Sequence, residues 1–192
     1  AIPDVQGRLE RISLQARRAR DVVDHLRVFG RPDEGAPEPI SLPGAVDGAL
    51  VLTGSALRGR GIGVEVALAE DLPPVLARLV PLEQAIVNLI VNARDAIEDS
   101  GRQDGVIRIA AQRDADGVKL TIADNGGGIP ESAMYRLFEP FFTTKPQGKG
   151  TGLGLPICHA TMRSFGGSIT ASNDAAGAVF TLTFREAVAA PA

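Results

Sequence analysis

The 192 residues carry 20 Lys and Arg against 23 Asp and Glu, for a net charge of -3, with 44% hydrophobic residues and one cysteine. That composition excludes a disordered chain, a basic field for nucleic acid and an internal disulfide framework. No apolar run approaches the roughly 18 residues of a membrane span, so no membrane contact is expected of this stretch. There is room for one sizeable core, and the lone Cys158 suits a reducing, cytoplasmic setting, with any membrane anchor left to a longer parent chain.

Along residues 1–30, Val5, Leu9, Ile12, Ala16, Ala19, Val23 and Leu26 alternate spacings of four and three, the a/d pattern of helices packed along a seam. Gly30 and Pro32 end the pattern, and residues 31–37 read as a linker. So narrow an apolar stripe requires a cover, either a partner helix or the chain's own domain.

The main domain is expected over residues 38–187, followed by a tail at 188–192. A short strand precedes a helix near 44–58, and "IGVEVALAE" alternates like a strand. A long helix is expected over about 81–100. "GVIRIAAQR" and "VKLTIAD" read as paired strands with a turn around Asp116 and Gly117. A helix near 153–165 and the strands "GSITASN" and "AVFTLTF" complete the chain. Strands in hairpins with helices between them predict an α+β layer sandwich, with helices on one face of a mostly antiparallel sheet.

Three stretches carry chemistry. In "LEQAIVNLIVNARDAI" the apolar face Ile86, Leu89, Ile90, Ala93 and Ile97 is accompanied by a second stripe, Gln84, Asn88, Asn92 and Asp95. Oxygen ligands for a hard cation such as Mg²⁺ would explain that stripe, and so would a solvated polar face. In "DNGGGIP" a strand runs into Asp124 and three glycines, which puts a carboxylate acceptor where the backbone can approach a ligand closely. An ordinary turn has the same composition. In "GKGTGLGLPI" glycines lead into a helix, whose first N–H groups favour phosphate. Lys145 and Lys149 add charge, and the Pro/Gly/Gln content around them reads as a mobile flap. The stretch is not a Walker-type loop, because Gly150 and not Ser or Thr follows Lys149.

In order, "NLIVNARDAI", "DNGGGIP", "LFEPFFTTK" and "GKGTGLGLPI" closely resemble the N, G1, F and G2 boxes of sensor histidine kinases, within the wider GHKL ATP-binding family. The resemblance covers about residues 38–185. It implies the Bergerat α/β sandwich, with ATP and Mg²⁺ as cofactors. By this resemblance Asn92, helped by Asn88, holds Mg²⁺ and serves catalysis. Asp124 binds the adenine amino group, with Gly126 and Gly128 giving it room. Asp95, Ile129 and Phe142 line the same site. Thr143, Thr144, Lys145, Gly148, Lys149, Gly150, Thr151, Gly152, Leu153, Gly154 and Leu155 surround the phosphates, and Phe138, Phe141 and Phe142 attach the lid.

The resemblance also identifies "ARRARDVVDHLRVFGRP" with the second helix of the hairpin through which such kinases dimerise. The first helix, with its phosphoacceptor histidine, has no counterpart in this chain. Neither His25 nor His159 is followed by an acid, so both are read as ordinary helix residues, and Cys158 as a core residue. The implied reaction is transfer of the γ-phosphoryl of ATP to a histidine outside the chain, then to a response regulator. Two other readings share the motifs. One is an ATP-hydrolysing machine like gyrase B, where a glutamate stands at the position of Asn88. The other is a nucleotide-binding pseudokinase or docking module.

Overall fold

The computed structural model describes residues 35–115, 117–145 and 150–187. The bundle helix expected over 1–30, most of the linker at 31–37, the tail at 188–192, and Asp116, Gly148 and Lys149 lie outside the described residues.

The chain runs β1 (Glu38–Ile40), α1 (Leu42–Arg58), β2 (Gly63–Leu68), β3 (Val75–Ala77), α2 (Leu79–Ser100), β4 (Val106–Asp114), β5 (Gly117–Asp124), α3 (Glu131–Met134), α4 (Gly154–Ser164), β6 (Ser168–Asn173) and β7 (Ala178–Phe184). Five strands form the main sheet in the order β2-β4-β5-β7-β6, antiparallel except for the parallel pair β2 and β4. β1 and β3 pair separately as a small antiparallel sheet. It is joined to the end of the domain by the bridge between Val75 and Glu186.

Local chemistry sets the helix limits. Ser41 caps α1 by accepting from the Gly44 N–H at 3.4 Å, and Pro43 stands in the first turn, where no intrahelical donor is needed. Gly101 ends α2 at a φ of 73°, the left-handed conformation that closes a helix at lowest steric cost.

The period-2 alternation of β5 buries Val118, Leu120, Ile122 and Asp124, and that of β7 buries Ala178, Phe180, Leu182 and Phe184. Against this face lie α2, through Ile86, Leu89, Ile90, Ala93 and Ile97, and α4, through Cys158 and Met162. The opposite face carries Gln112, Lys119, Thr121, Thr170, Thr181 and Thr183 around a broad polar hollow. Three-layer cover would demand an apolar second face. The polar one shows why the sheet carries helices on one side only.

Three features depart from the sequence reading. The parallel β2–β4 pair and the strand β3 are not marked by alternation alone, since β3 has only three residues. The hairpin turns one residue early: Asp114 pairs with Gly117, which makes Gly117 the first residue of β5. The Asp114 carboxylate accepts from the Ala115 N–H at 2.6 Å and starts the turn there. Among the described residues, no helix is long and apolar enough to cross a membrane.

Leu120 sits fully buried in β5, the middle strand of the main sheet. Leu120→Ala is expected to lower unfolding free energy by about 2–5 kcal/mol through lost transfer energy and the cavity left behind. A denaturant melt would show this as a lower midpoint, and a midpoint equal to that of the native chain would mean that this strand does not hold the core.

Candidate active site

β5 delivers the first group. Asp124 keeps the parity of Val118, Leu120 and Ile122, so its carboxylate points to the core side and is only 2% exposed. Oδ1 accepts from the Gly126 N–H at 2.8 Å and, more weakly, from the Ala178 N–H at 3.5 Å. Burial raises its pKa above the ordinary 3.8, and these two backbone donors only partly offset that.

Two glycines make room around it. A Cβ on Gly126 would lie 2.5 Å from the Ala96 carbonyl carbon, so only glycine lets this loop rest on the backbone of α2. A Cβ on Gly177 would lie 2.4 Å from the Asp124 carbonyl oxygen. The loop after β5 is thus clasped between α2 and the β6–β7 turn. Its next residue, Asn125, is 9% exposed and structural: Oδ1 accepts from the Val106 N–H and Nδ2 donates to the Asp104 carbonyl, both at 2.8 Å.

α2 delivers the second set, with Gln84, Asn88, Asn92 and Asp95 on a flank of the helix away from its core face. Gln84 donates to Asn88 Oδ1 at 3.4 Å. The Asn88 Nδ2 is buried and has no hydrogen-bond partner among the described residues. It lies beside the Cys158 thiol and draws the thiol's pKa down slightly, although the geometry falls short of a hydrogen bond. Burial dominates there and pushes Cys158 up to about 12, so the thiol stays protonated and inert. The thiol's hydrogen bond runs to the Ala85 carbonyl at 3.6 Å, as expected of a core residue.

Asp95 gathers charge. Lys145 Nζ donates to Asp95 Oδ2 at 2.6 Å and reaches Asn92 Oδ1 at 3.5 Å. Arg94 donates to Asp95 Oδ1 through Nε at 2.9 Å and Nη2 at 2.5 Å. Burial works to raise the Asp95 pKa, but the hydrogen bonds from Lys145 and Arg94 outweigh it and hold the carboxyl below 3.8. The Lys145 ammonium thus rests on a carboxylate oxygen and, at longer range, on an amide oxygen, both of them hard donors.

The third set comes from the glycine-rich stretch. No side chain caps the start of α4, so its first N–H groups are left for other acceptors. The Gly154 Cβ position is 4.0 Å from Asn88 Cγ, which sets this helix start beside the amide stripe. Thr151 Oγ1 accepts from the Leu153 N–H at 3.3 Å. Gly150 lies against Thr143 and Lys145, and Gly152 against the Phe141 backbone, where the Phe141 N–H donates to the Gly152 carbonyl at 2.9 Å. Phe141 is the one non-glycine residue with positive φ among those described, at 67°, a strained conformation kept beside the site. Phe138 is half-buried and stacks on His159 at 5.3 Å, and Arg136 lies over Phe142 at 4.5 Å. His159 is therefore an ordinary residue of α4, packed on the aromatic stretch.

The structure thus brings together Asn88, Asn92, Asp95, Lys145 and Gly154 on one flank of α2, and sets the Asp124 loop, through Gly126, against the backbone of the same helix at Ala96. Ile129 and Gly128 lie at the far end of the Asp124 loop, next to Asn173. Phe142, Thr143 and Thr144 precede Lys145 on the other side. The sequence reading passed over Arg94, which pairs with its neighbour Asp95, and over Asn125 and Asn173, which act through contacts distant in sequence.

Comparison with known proteins agrees with this arrangement. Residues 77–188 match the family described as histidine kinase-, DNA gyrase B-, and HSP90-like ATPase. The two-component sensor PprA of Pseudomonas aeruginosa is 43% identical over 96% of this chain, and the C4-dicarboxylate transport sensor protein DctB of the same organism is 39% identical over 91%. The chain spans 20% and 28% of their respective lengths. Among solved structures, the catalytic domain of the histidine kinase ThkA superposes with a TM-score of 0.69 at 29% identity, covering 78% of this chain and 95% of that one. Full-length ShkA in complex with AMPPNP gives 0.71 at 26% identity, covering 88% of this chain and 35% of that one. A buried strand-end carboxylate, an amide stripe and an uncapped helix start therefore stand in a known frame, and the chain belongs to the histidine kinase-, DNA gyrase B- and HSP90-like ATPase family.

Proposed function

We propose that this chain is the ATP-binding catalytic part of a two-component sensor histidine kinase. Adenine is held at Asp124 with its phosphates between the amide stripe, Lys145 and the start of α4. The γ-phosphoryl then passes to a histidine on a helical hairpin outside the described residues, and from there to an aspartate of a response regulator. The same hairpin makes the parent a homodimer. The observation that carries the reading is Asp124, a carboxylate on a core position that touches backbone donors and glycines and, among the described residues, no cation. A buried acceptor kept without a charged partner is costly, and an exocyclic amine is a ligand that makes use of it.

Asn88 and Asn92, with Asp95 behind them, are the residues that would hold Mg²⁺, and the Lys145 ammonium resting on the oxygens of Asn92 and Asp95 supports this. When bound, Mg²⁺ offsets the negative charge on the phosphate oxygens. Lys145 exchanges Asp95 for phosphate, and the N–H groups that open α4 meet a second edge of the phosphate chain. In the transfer, the bond from the γ-phosphorus to the ADP oxygen breaks, a bond to the acceptor imidazole nitrogen forms, and ADP leaves. Each of these protein groups positions or neutralises, which is what phosphoryl transfer demands. Hydrolysis would require a base where Asn88 stands, and a neutral amide cannot take a proton from water. The solved relative with AMPPNP bound and the kinase names of the sequence relatives support the reading.

Asn92→Ala should fold normally, since Asn92 lies outside the core, and should weaken Mg·ATP binding by roughly tenfold or more. Calorimetry on the folded variant would settle this, and unchanged affinity would remove Asn92 from the site.

Asp124→Asn should lower ATP affinity by about 1.5–3 kcal/mol, the worth of a hydrogen bond to a charged group. It should also stabilise the protein measured without nucleotide. Because burial raises the folded-state pKa of Asp124 above 3.8, the native fold gains stability by protonation below that value and loses it as pH rises through the folded pKa. The variant has no such titration. Melting curves between about pH 4 and 7 should therefore show the native chain falling behind Asp124→Asn as pH rises. Parallel curves would mean that the carboxylate is not held in a desolvated site.

A further inference from the structure

We propose that Asn173, the last residue of β6, is a positioning residue of the nucleotide site, whose side-chain amide fixes the far end of the loop that carries Asp124. This rests on the reading of Asp124 as the adenine acceptor.

Asn173 Oδ1 accepts from the Ile129 N–H and Asn173 Nδ2 donates to the Ile129 carbonyl, both at 2.8 Å and across 44 residues of sequence. One side chain therefore takes both main-chain groups of a residue, as a paired strand residue would. The residue before, Gly128, has a φ of 83°, and a Cβ there would lie 3.0 Å from Asn173 Oδ1. The amide thus occupies the space that a side chain at position 128 would need.

The rest of the loop is held elsewhere. Asn125 ties its near end to Val106 and Asp104 at the start of β4, and Gly126 rests on α2. A side chain at Gly127 would meet open space, so the middle of the loop has no packing of its own. Remove the Asn173 pair, and the loop keeps its hold on α2 and the packing of the Ile129 side chain on the core, but loses the hydrogen bonds that fix the Ile129 main chain.

The β6–β7 turn is a suitable anchor. Asp174 Oδ1 accepts from the Ala176 and Gly177 N–H groups at 2.7 and 2.8 Å, which makes the turn stiff. Gly177 and Ala178 from the same turn contact Asp124 itself. A single turn therefore sets the position of the carboxylate and, through Asn173, of the backbone that follows it. Asn173 is exposed, so its two hydrogen bonds compete with water and add little to global stability. Its contribution lies in the shape of the base-binding loop.

The test uses Asn173→Ala and Asn173→Asp in the full chain. Asp keeps the acceptor for the Ile129 N–H but sets a carboxylate against the Ile129 carbonyl. Three measurements are made: affinity for ATP, GTP and inorganic tripolyphosphate by calorimetry, hydrogen exchange over 126–129, and the urea midpoint. Asn173→Ala should lose roughly fivefold in ATP affinity. Its tripolyphosphate affinity should be unchanged, exchange at Ile129 should quicken, and the urea midpoint should stay close to native. Asn173→Asp should lose ATP affinity in the same direction. Native ATP affinity in both variants, with native preference for ATP over GTP, would overturn the role of Asn173 while leaving that of Asp124 intact. Equal loss of ATP and tripolyphosphate would show a general disturbance and overturn it as well. A native chain that binds ATP and GTP equally would refute the Asp124 reading and this proposal with it.

Discussion

In β5 the residues of one face run Val118, Leu120, Ile122 and then Asp124, so a row of core positions ends in an ionisable group. An acid in that place works against folding, because burial favours its neutral form. What lets it persist is the surrounding backbone. The Gly126 and Ala178 N–H groups face it, and Gly177 lets the next turn close over it without a side chain between them. Glycine at 126 then brings the following loop onto α2, and with that the strand end, the helix and the β6–β7 turn meet at one point. Most of the site's geometry follows from accommodating this carboxylate.

α2 has two functions on one cylinder. Ile86, Leu89, Ile90, Ala93 and Ile97 hold it to the sheet, and the flank bearing Asn88, Asn92 and Asp95 faces Lys145 and the start of α4. The fixed core face makes the other flank rigid, so its oxygens are held in place before any cation arrives. Asp95 takes charge from both Arg94 and Lys145, which are partly buried along with it. The Lys145 ammonium lies where the amide oxygen of Asn92 and the carboxylate of Asp95 can both reach it, so phosphate must draw it away from an existing partner. Part of the attraction of Lys145 for nucleotide is thus offset in advance, which favours ligands of high negative charge.

Features with a short period or a continuous motif were legible in the sequence. The core face of α2 and the strands β4 to β7 follow from spacing, because residues on one face recur at fixed intervals. The order of four boxes named the family, and within the fold Lys145 meets Asn92 and Asp95 while Asn88 lies beside the start of α4. Pairing was not legible: alternation tells which residues share a face, not which strand lies alongside, so the parallel β2–β4 neighbours could not be read. Nor was the work of Asn125 and Asn173. A short polar side chain in a turn usually satisfies its own backbone, and nothing in "DNGG" or "SND" says that these two reach 19 or more residues away.

The two halves of the site are built with different tolerance for change. On the base side, contacts run through main chain and glycine: Gly126 on α2, Gly177 on Asp124, and an asparagine at each end of the loop. A misplacement of a few tenths of an ångström there alters recognition directly, since a hydrogen bond weakens steeply with geometry. On the phosphate side, contacts run through lysine and asparagine side chains and a helix start, which attract charge over a wider range of positions. On the function proposed above, base identity is read by the rigid half and the reacting end is held by the adaptable one. Such a division suits a transfer reaction, in which adenine stays where it is while the γ-phosphoryl must move to an acceptor on another domain.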